Sequence, residues 1–296
     1  MKNTIYLFLL LIIGSSCNRN DRSDAYGNFE AIEVIVSSQA NGQILRLVVE
    51  EGMKVNLGDT IGLIDTVDLS LKKDQLLSQK QVIMARLRNI DSQIRVQEQQ
   101  KKNILVDKDR VENLLKEGAA TQKQMDDITG SLDLIEQQII ATEVQKDAIR
   151  AELATLDTQV KQVEETLSKC FIVSPLSGTV LVKFAERGEI TSMGKPICKM
   201  ANLDEMELKV YLSGDQLPYL KLGQTVEVLI DKNAREFSTL QGTVTWISSK
   251  AEFTPKTIQT KKERVNLVYA AKVRVPNDGT LKIGMPGEVN FMPVEK

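Results

Sequence analysis

Residues 41–61 read Asn-Gly-Gln-Ile-Leu-Arg-Leu-Val-Val-Glu-Glu-Gly-Met-Lys-Val-Asn-Leu-Gly-Asp-Thr-Ile, and residues 177–197 read Ser-Gly-Thr-Val-Leu-Val-Lys-Phe-Ala-Glu-Arg-Gly-Glu-Ile-Thr-Ser-Met-Gly-Lys-Pro-Ile. Gly42, Gly52 and Gly58 of the first stretch return as Gly178, Gly188 and Gly194, at one constant offset of 136 residues (178 less 42). Ile44 is matched by Val180, Val48 by Phe184 and Ile61 by Ile197. Each stretch reads as short strands punctuated by glycine turns, where glycine accepts a positive φ that a Cβ would resist. A half-unit of this size leaves an apolar face open. It closes only on its twin, so the repeat predicts one flattened β-domain that is split in the sequence.

The chain between the halves, residues 67–169, is predicted helical. It holds no proline, and its only glycines are Gly118 and Gly130. From Met125 to Leu167, steps of three and four alternate through thirteen positions, eleven of them apolar; the exceptions are Thr142 and Lys146. That is a sustained heptad seam. The first arm carries the series Leu69, Leu76, Ile83, Ile90, Gln97, Ile104 and Val111, with one polar member. Its companion series, Lys73, Lys80, Leu87, Ile94, Lys101, Lys108 and Leu115, is four-sevenths lysine. Lysine stems lie along a seam while the ammonium stays wet, so this edge reads as solvated. Looser packing is expected where Gln97 and Lys101 face the zone of Thr142 and Lys146. Gly118 suits a helix C-terminal cap, and Thr121 with Gln124 suits a capping box at the next N-terminus. Arms of about 48 residues reach roughly 70 Å. A two-helix arm of that length has no room for a catalytic pocket, so it reads as a spacer or docking arm.

Composition narrows the function further. The chain has 38 basic and 40 acidic residues, and so lacks the basic excess of a nucleic-acid binder. It has no histidine, which removes the commonest general base and metal ligand. No CxxC, Walker A or GxSxG motif occurs. No enzymatic activity, cofactor or metal is expected. At the N-terminus, Lys2 precedes the apolar run Ile5–Ile13, and Gly14-Ser15-Ser16 lead into Cys17. The run is too short to span a bilayer and reads as a secretory signal. Small residues before a cysteine resemble a bacterial lipobox, which implies acylation of Cys17 and a membrane anchor. Cys170 and Cys198 are left as a disulfide or as buried free thiols.

The two glycine-rich halves resemble a biotinyl/lipoyl-like domain. The link that would carry a modified lysine is here Asp65-Thr66-Val67-Asp68, without lysine, and Lys199-Met200 falls in a predicted strand instead. No covalent cofactor is expected. With the helical insertion, the layout resembles the HlyD family of periplasmic adaptors, or membrane fusion proteins. Channel-docking members carry an arginine, a leucine four residues on and a serine seven further at the hairpin tip. Here Arg110, Leu114 and Thr121 stand at that spacing, with threonine for serine. The resemblance implies an α+β protein, with a long antiparallel helical hairpin inserted into a split lipoyl-like sandwich and followed by a C-terminal β-barrel. The implied organisation is signal peptide 1–16, lipid-anchored linker 17–28, first sandwich half 29–66, hairpin 67–169, second half 170–202, and barrel with membrane-proximal region 203–296. Val226–Ile230, Gly242–Ile247 and Tyr269–Val275 are its strand candidates.

The resemblance further implies a homo-oligomer, a hexamer by analogy, on the periplasmic side of the inner membrane. Its partners would be an inner-membrane transporter and a TolC-type outer-membrane channel. Ala251-Glu-Phe-Thr-Pro-Lys, Gln259-Thr260 before Arg264, and Gly284-Met285-Pro286-Gly287 resemble adaptors that serve ABC transporters. The rival reading is a structural envelope spacer with no role in transport.

Overall fold

A computed structural model describes residues 23–233, 236–253 and 267–291. The signal segment, Cys17 and the stretch 254–266 with Gln259, Thr260 and Arg264 lie outside these residues. The first five strands are β1 (Ala25–Glu30), β2 (Glu33–Ser37), β3 (Gly42–Leu47), β4 (Lys54–Val55) and β5 (Thr60–Ile64). Two helices follow, α1 (Val67–Lys116) and α2 (Gln122–Ser168). Then come β6 (Phe171–Val173), β7 (Gly178–Lys183), β8 (Ile190–Thr191) and β9 (Pro196–Ala201). The remainder is β10 (Glu205–Ser213), β11 (Thr225–Asn233), β12 (Glu236–Ile247), β13 (Glu252–Phe253), β14 (Leu267–Pro276) and β15 (Pro286–Asn290).

The split halves close on each other. One sheet runs β2-β9-β7-β4 and the other β6-β5-β3-β8. Shifting each strand by the repeat offset turns the first list into the second, so the sandwich has a pseudo-two-fold axis and each sheet takes strands from both halves. The backbone bonds obey the same symmetry. Gly52 N–H donates to the Val180 carbonyl and Gly188 N–H to the Ile44 carbonyl, both at 2.8 Å. Gly58 N–H donates to Ser174 and Gly194 N–H to Ser38, at 2.9 and 2.8 Å. Ile44, Ile61, Ile64, Val180, Ile197 and Met200 fill the space between the sheets.

Among the repeat glycines, Gly52 and Gly188 hold φ of 85° and 93°, which a Cβ would disfavour. Gly178 differs from the turn role expected of it. It opens strand β7 without a positive φ, and a Cβ there would lie 2.7 Å from the Leu176 side chain and 2.8 Å from the Ala201 carbonyl carbon. Close approach, not turn geometry, explains that glycine.

The C-terminal region is a six-stranded barrel, β10-β1-β15-β11-β12-β14, closed by pairing of β14 with β10. Strand β13 extends it beside β14. One boundary differs from the reading above. Ala25–Glu30, expected in the linker and the sandwich, form β1, paired with β10 on one side and β15 on the other. Only Ala25 and Phe29 of this strand face the core, so the backbone ladder holds it more than its apolar content does. Gly284 N–H donates to the Phe29 carbonyl at 2.8 Å, Phe29 N–H donates to Met285 at 2.9 Å, and Gly287 leaves space for the Phe29 ring. The Gly284–Gly287 turn thus seats the N-terminal strand in the barrel.

Candidate functional site

The helical arm is the feature that no packed domain of this protein requires. Helix α1 has 50 residues and α2 has 47, so the arm is about 75 Å long. Every seam position from Met125 to Leu167, and every one of the two α1 series, is buried or half-buried. Three of the four lysines of the α1 seam are not merely solvated. Lys73 pairs with Glu164 at 2.8 Å, Lys80 with Asp157, and Lys101 with Glu136 at 2.8 Å. Lys146 of α2 pairs in the opposite sense with Asp91 at 2.7 Å. In all four pairs the residue numbers add to 237, so a single antiparallel register runs the length of the arm.

The Asp91 carboxyl is held below its ordinary range, chiefly by its hydrogen bond to Lys146. Near this pair, Thr142 is buried and donates to the Gln138 carbonyl at 2.9 Å. The Gln97 Oε1 is buried without a hydrogen-bond partner. The polar zone of the seam is therefore pinned by one ion pair and left unsatisfied at one oxygen.

At the tip, α1 ends in a Schellman motif. Ala119 N–H donates to the Leu114 carbonyl at 2.8 Å and Gly118 N–H to the Leu115 carbonyl at 3.1 Å, with Gly118 at φ 70°. Thr121 then caps α2. Its oxygen accepts from Gln124 N–H at 3.3 Å, and its own N–H donates to Gln124 Oε1 at 2.7 Å. Arg110 and Leu114 lie one turn apart near the end of α1, and both side chains are exposed. Arg110 donates to Asp107 at 3.0 Å. Thr121 stands just past the turn with its hydroxyl engaged in the cap.

The outward faces carry a second pattern that apolar periodicity did not register. From Leu71 to Val106 on α1, positions in alternating steps of four and three are all uncharged and all exposed: Leu71, Gln75, Ser78, Val82, Ala85, Asn89, Ser92, Val96, Gln99, Asn103 and Val106. On α2 the same holds from Gly130 to Gln162, through Leu134, Ala141, Val144, Ala148 and Ala151. Both stripes lie on the side of the helix turned away from the seam. In the observed register, 71 and 106 stand opposite 166 and 131, so the stripes occupy the same length of the arm. The inner seam holds lysines, whereas the outer stripes hold no charge. The signal was an absence, in a chain where 26% of residues are charged.

Among the described residues, no cluster of acidic or cysteine side chains is arranged to hold a metal ion, and no helix is long and apolar enough to cross a membrane. Cys170 and Cys198 are free and buried. Burial pushes the Cys198 thiol up to about 11.

Comparison with known proteins places this geometry. A UPF0194 membrane protein of Yersinia pseudotuberculosis is 26% identical over 299 residues, covering 92% of this chain and 90% of the relative. A second, from Citrobacter koseri, is 23% identical over 291 residues, covering 90% of this chain and 87% of the relative. The fold is shared with MacA from Actinobacillus actinomycetemcomitans, at a TM-score of 0.56 and 20% identity over 92% of this chain and 79% of that one. It is shared also with a membrane fusion protein from Streptococcus pneumoniae, at 0.53 and 16% over 90% and 98%. The model of the RND MFP barrel-sandwich hybrid domain matches residues 32–201, more than half of the chain and the whole of the sandwich with its hairpin. This protein therefore belongs to the membrane fusion protein family of periplasmic adaptors.

Proposed function

We propose that this adaptor bridges an inner-membrane transporter, with an ABC type favoured, and a TolC-type outer-membrane channel. In this reading it works as a homo-oligomer, is anchored in the inner membrane through acylated Cys17, and makes or breaks no bonds. The observation that carries the reading is the pair of uncharged stripes at equal height on opposite outer faces of the arm. The α1 stripe of one copy fits against the α2 stripe of the next. Such a head-to-tail contact closes into a ring when the rotation closes, and the arms then form a tube. The hydroxyls on the stripes bond back to their own helices: Ser78 to Asp74, Ser92 to Arg88, Thr155 to Ala151 and Thr158 to Ala154. Covering these faces therefore leaves no hydroxyl donor unsatisfied. At the end of the tube, Leu114 fits an apolar groove between partner helices, and the Arg110 guanidinium supplies directed hydrogen bonds. Weak contacts at each tip gain from their linkage in one assembly.

The test joins the two stripes. In the register above, position 141 stands level with position 96. Paired Val96→Cys and Ala141→Cys substitutions are expected to give inter-subunit disulfide ladders on membranes, while buried Cys170 and Cys198 stay silent. Val82→Glu with Val96→Glu is expected to abolish both oligomers and export. Arg110→Asp is expected to abolish export and channel crosslinking with the oligomer intact. A protein that exports normally as a monomer, or whose crosslinked pull-down contains no transporter, would refute the reading.

A further inference from the structure

We infer that the loop between β10 and β11 is a lipid-contacting foot, in which Tyr219 and Leu222 rest in the interfacial layer of the bilayer that holds the acyl chains of Cys17. The inference rests on the anchoring in the proposed function and adds a second point of membrane contact to it.

The loop has a defined shape. Leu217–Tyr219 form a turn of 3-10 helix. Gln224 N–H donates to the Lys221 carbonyl at 3.1 Å, and Gly223 takes φ 81°. That combination is a type II turn with Leu222 at its apex. Gly223 N–H is tied to the Val244 carbonyl at 2.8 Å, so the turn is fastened to the barrel wall. Leu217 and Leu220 face the barrel core. Tyr219 and Leu222 do not, and stand 53% and 69% exposed.

Singly exposed apolar residues are ordinary on a protein surface. The path of the chain sets these two apart. Gln216 Nε2 donates to the Asp24 carbonyl at 2.6 Å, which binds this loop to the start of the barrel's N-terminal strand. Asp24 lies seven residues after Cys17. Fully extended, that stretch reaches about 25 Å at most. An acylated Cys17 therefore holds this pole of the barrel within a tether's length of the headgroups. Strand β1 runs from here to Glu30, where the chain enters the sandwich, so the hairpin departs from the opposite pole. The chemistry of the loop suits that position. An amphipathic tyrosine ring, an aliphatic apex and the long cationic stem of Lys221 are the side chains that interfacial contacts favour.

The chain has one tryptophan, Trp246, which makes the inference measurable on the full-length acylated protein. In a Trp246→Phe background, a reporter is placed by Leu222→Trp at the foot or by Phe237→Trp at the opposite pole. Each protein is reconstituted in phosphatidylethanolamine–phosphatidylglycerol vesicles, with plain or brominated acyl chains. Bromine is expected to dim the foot reporter by about twofold, the behaviour of a side chain seated at the acyl boundary, and to leave the Phe237→Trp reporter unchanged. Tyr219→Trp repeats the measurement one turn away. Equal brightness at positions 219 and 222 in both vesicles, with acyl chains found on Cys17 by intact mass, would overturn the foot alone. A foot reporter that responds only to added transporter would do the same, assigning the loop to a protein surface. A Cys17 without acyl chains would overturn the anchor and the foot together.

Discussion

The sandwich encloses Ile44, Ile61, Ile64 and Ile197 completely between two sheets, whereas the arm shields a single row of side chains between two helices and lets lysines share it. The sandwich is specified by non-local pairing: each sheet needs strands from both ends of a long excursion. The arm is specified mostly by local helix formation, with the seam and four like-registered ion pairs choosing how the helices align. Volume holds the first region together, and register holds the second. The same deletion should therefore cost more in the sandwich, and polar changes should matter more in the arm.

The largest effect is expected from Ile61→Ala, which leaves a cavity between the two sheets and should cost about 4 kcal/mol in urea unfolding. Leu156→Ala in the arm should cost about 2 kcal/mol, because two helices relax toward a one-sided gap more easily than two sheets do. Equal losses would remove the distinction drawn here. Next in size is Gln97→Leu, which removes the buried oxygen that lacks a partner. It should stabilise the arm by about 1 kcal/mol in thermal melts followed by helical signal. Destabilisation would mean that this oxygen is satisfied in the assembled protein.

The smallest effects are in pH. Asp91 titrates below its ordinary range in the folded arm, so its contribution is complete above the ordinary carboxylate value. It is lost as pH falls through the lowered one. Cys198 is raised to about 11, so its contribution to the sandwich is complete below the ordinary thiol value and declines as pH rises toward 11. Helical signal should therefore soften first in acid, and alkylation of Cys198 should track opening of the sandwich in mild alkali. The reverse assignment would break the comparison.

Much of this was legible in the chain. The glycine offset marked the twin strands because turn geometry and close packing constrain single positions. The seam from Met125 to Leu167 was legible because burial follows the helix period. Gly118 and Thr121 gave the tip, since caps are local chemistry. What escaped was non-local or non-apolar. Strand β1 offered only Ala25 and Phe29 as inward residues, and its two neighbours lie some 180 and 260 residues away. The cross-arm ion pairs needed the register, which a lysine-rich series alone does not disclose. The outer stripes are made of glutamine, serine, asparagine and alanine as much as valine, so a search for apolar residues passes over them.

The exchange of strands between the halves also orders the protein's own synthesis. As the chain is made, Ile44, Ile61 and Ile64 emerge first, on strands β3 and β5 that can pair only with each other. Their outer neighbours β8 and β6, and the facing strands β7 and β9, follow only after the whole arm has appeared. Closing a loop of that size at random is slow. Zipping of α1 against α2 delivers Asp65 and Cys170 to the same spot, where Ile64 N–H meets the Cys170 carbonyl at 2.9 Å. The arm is thus its own folding jig, and a nascent chain cut off anywhere within it presents a greasy half-sheet for proteases to clear.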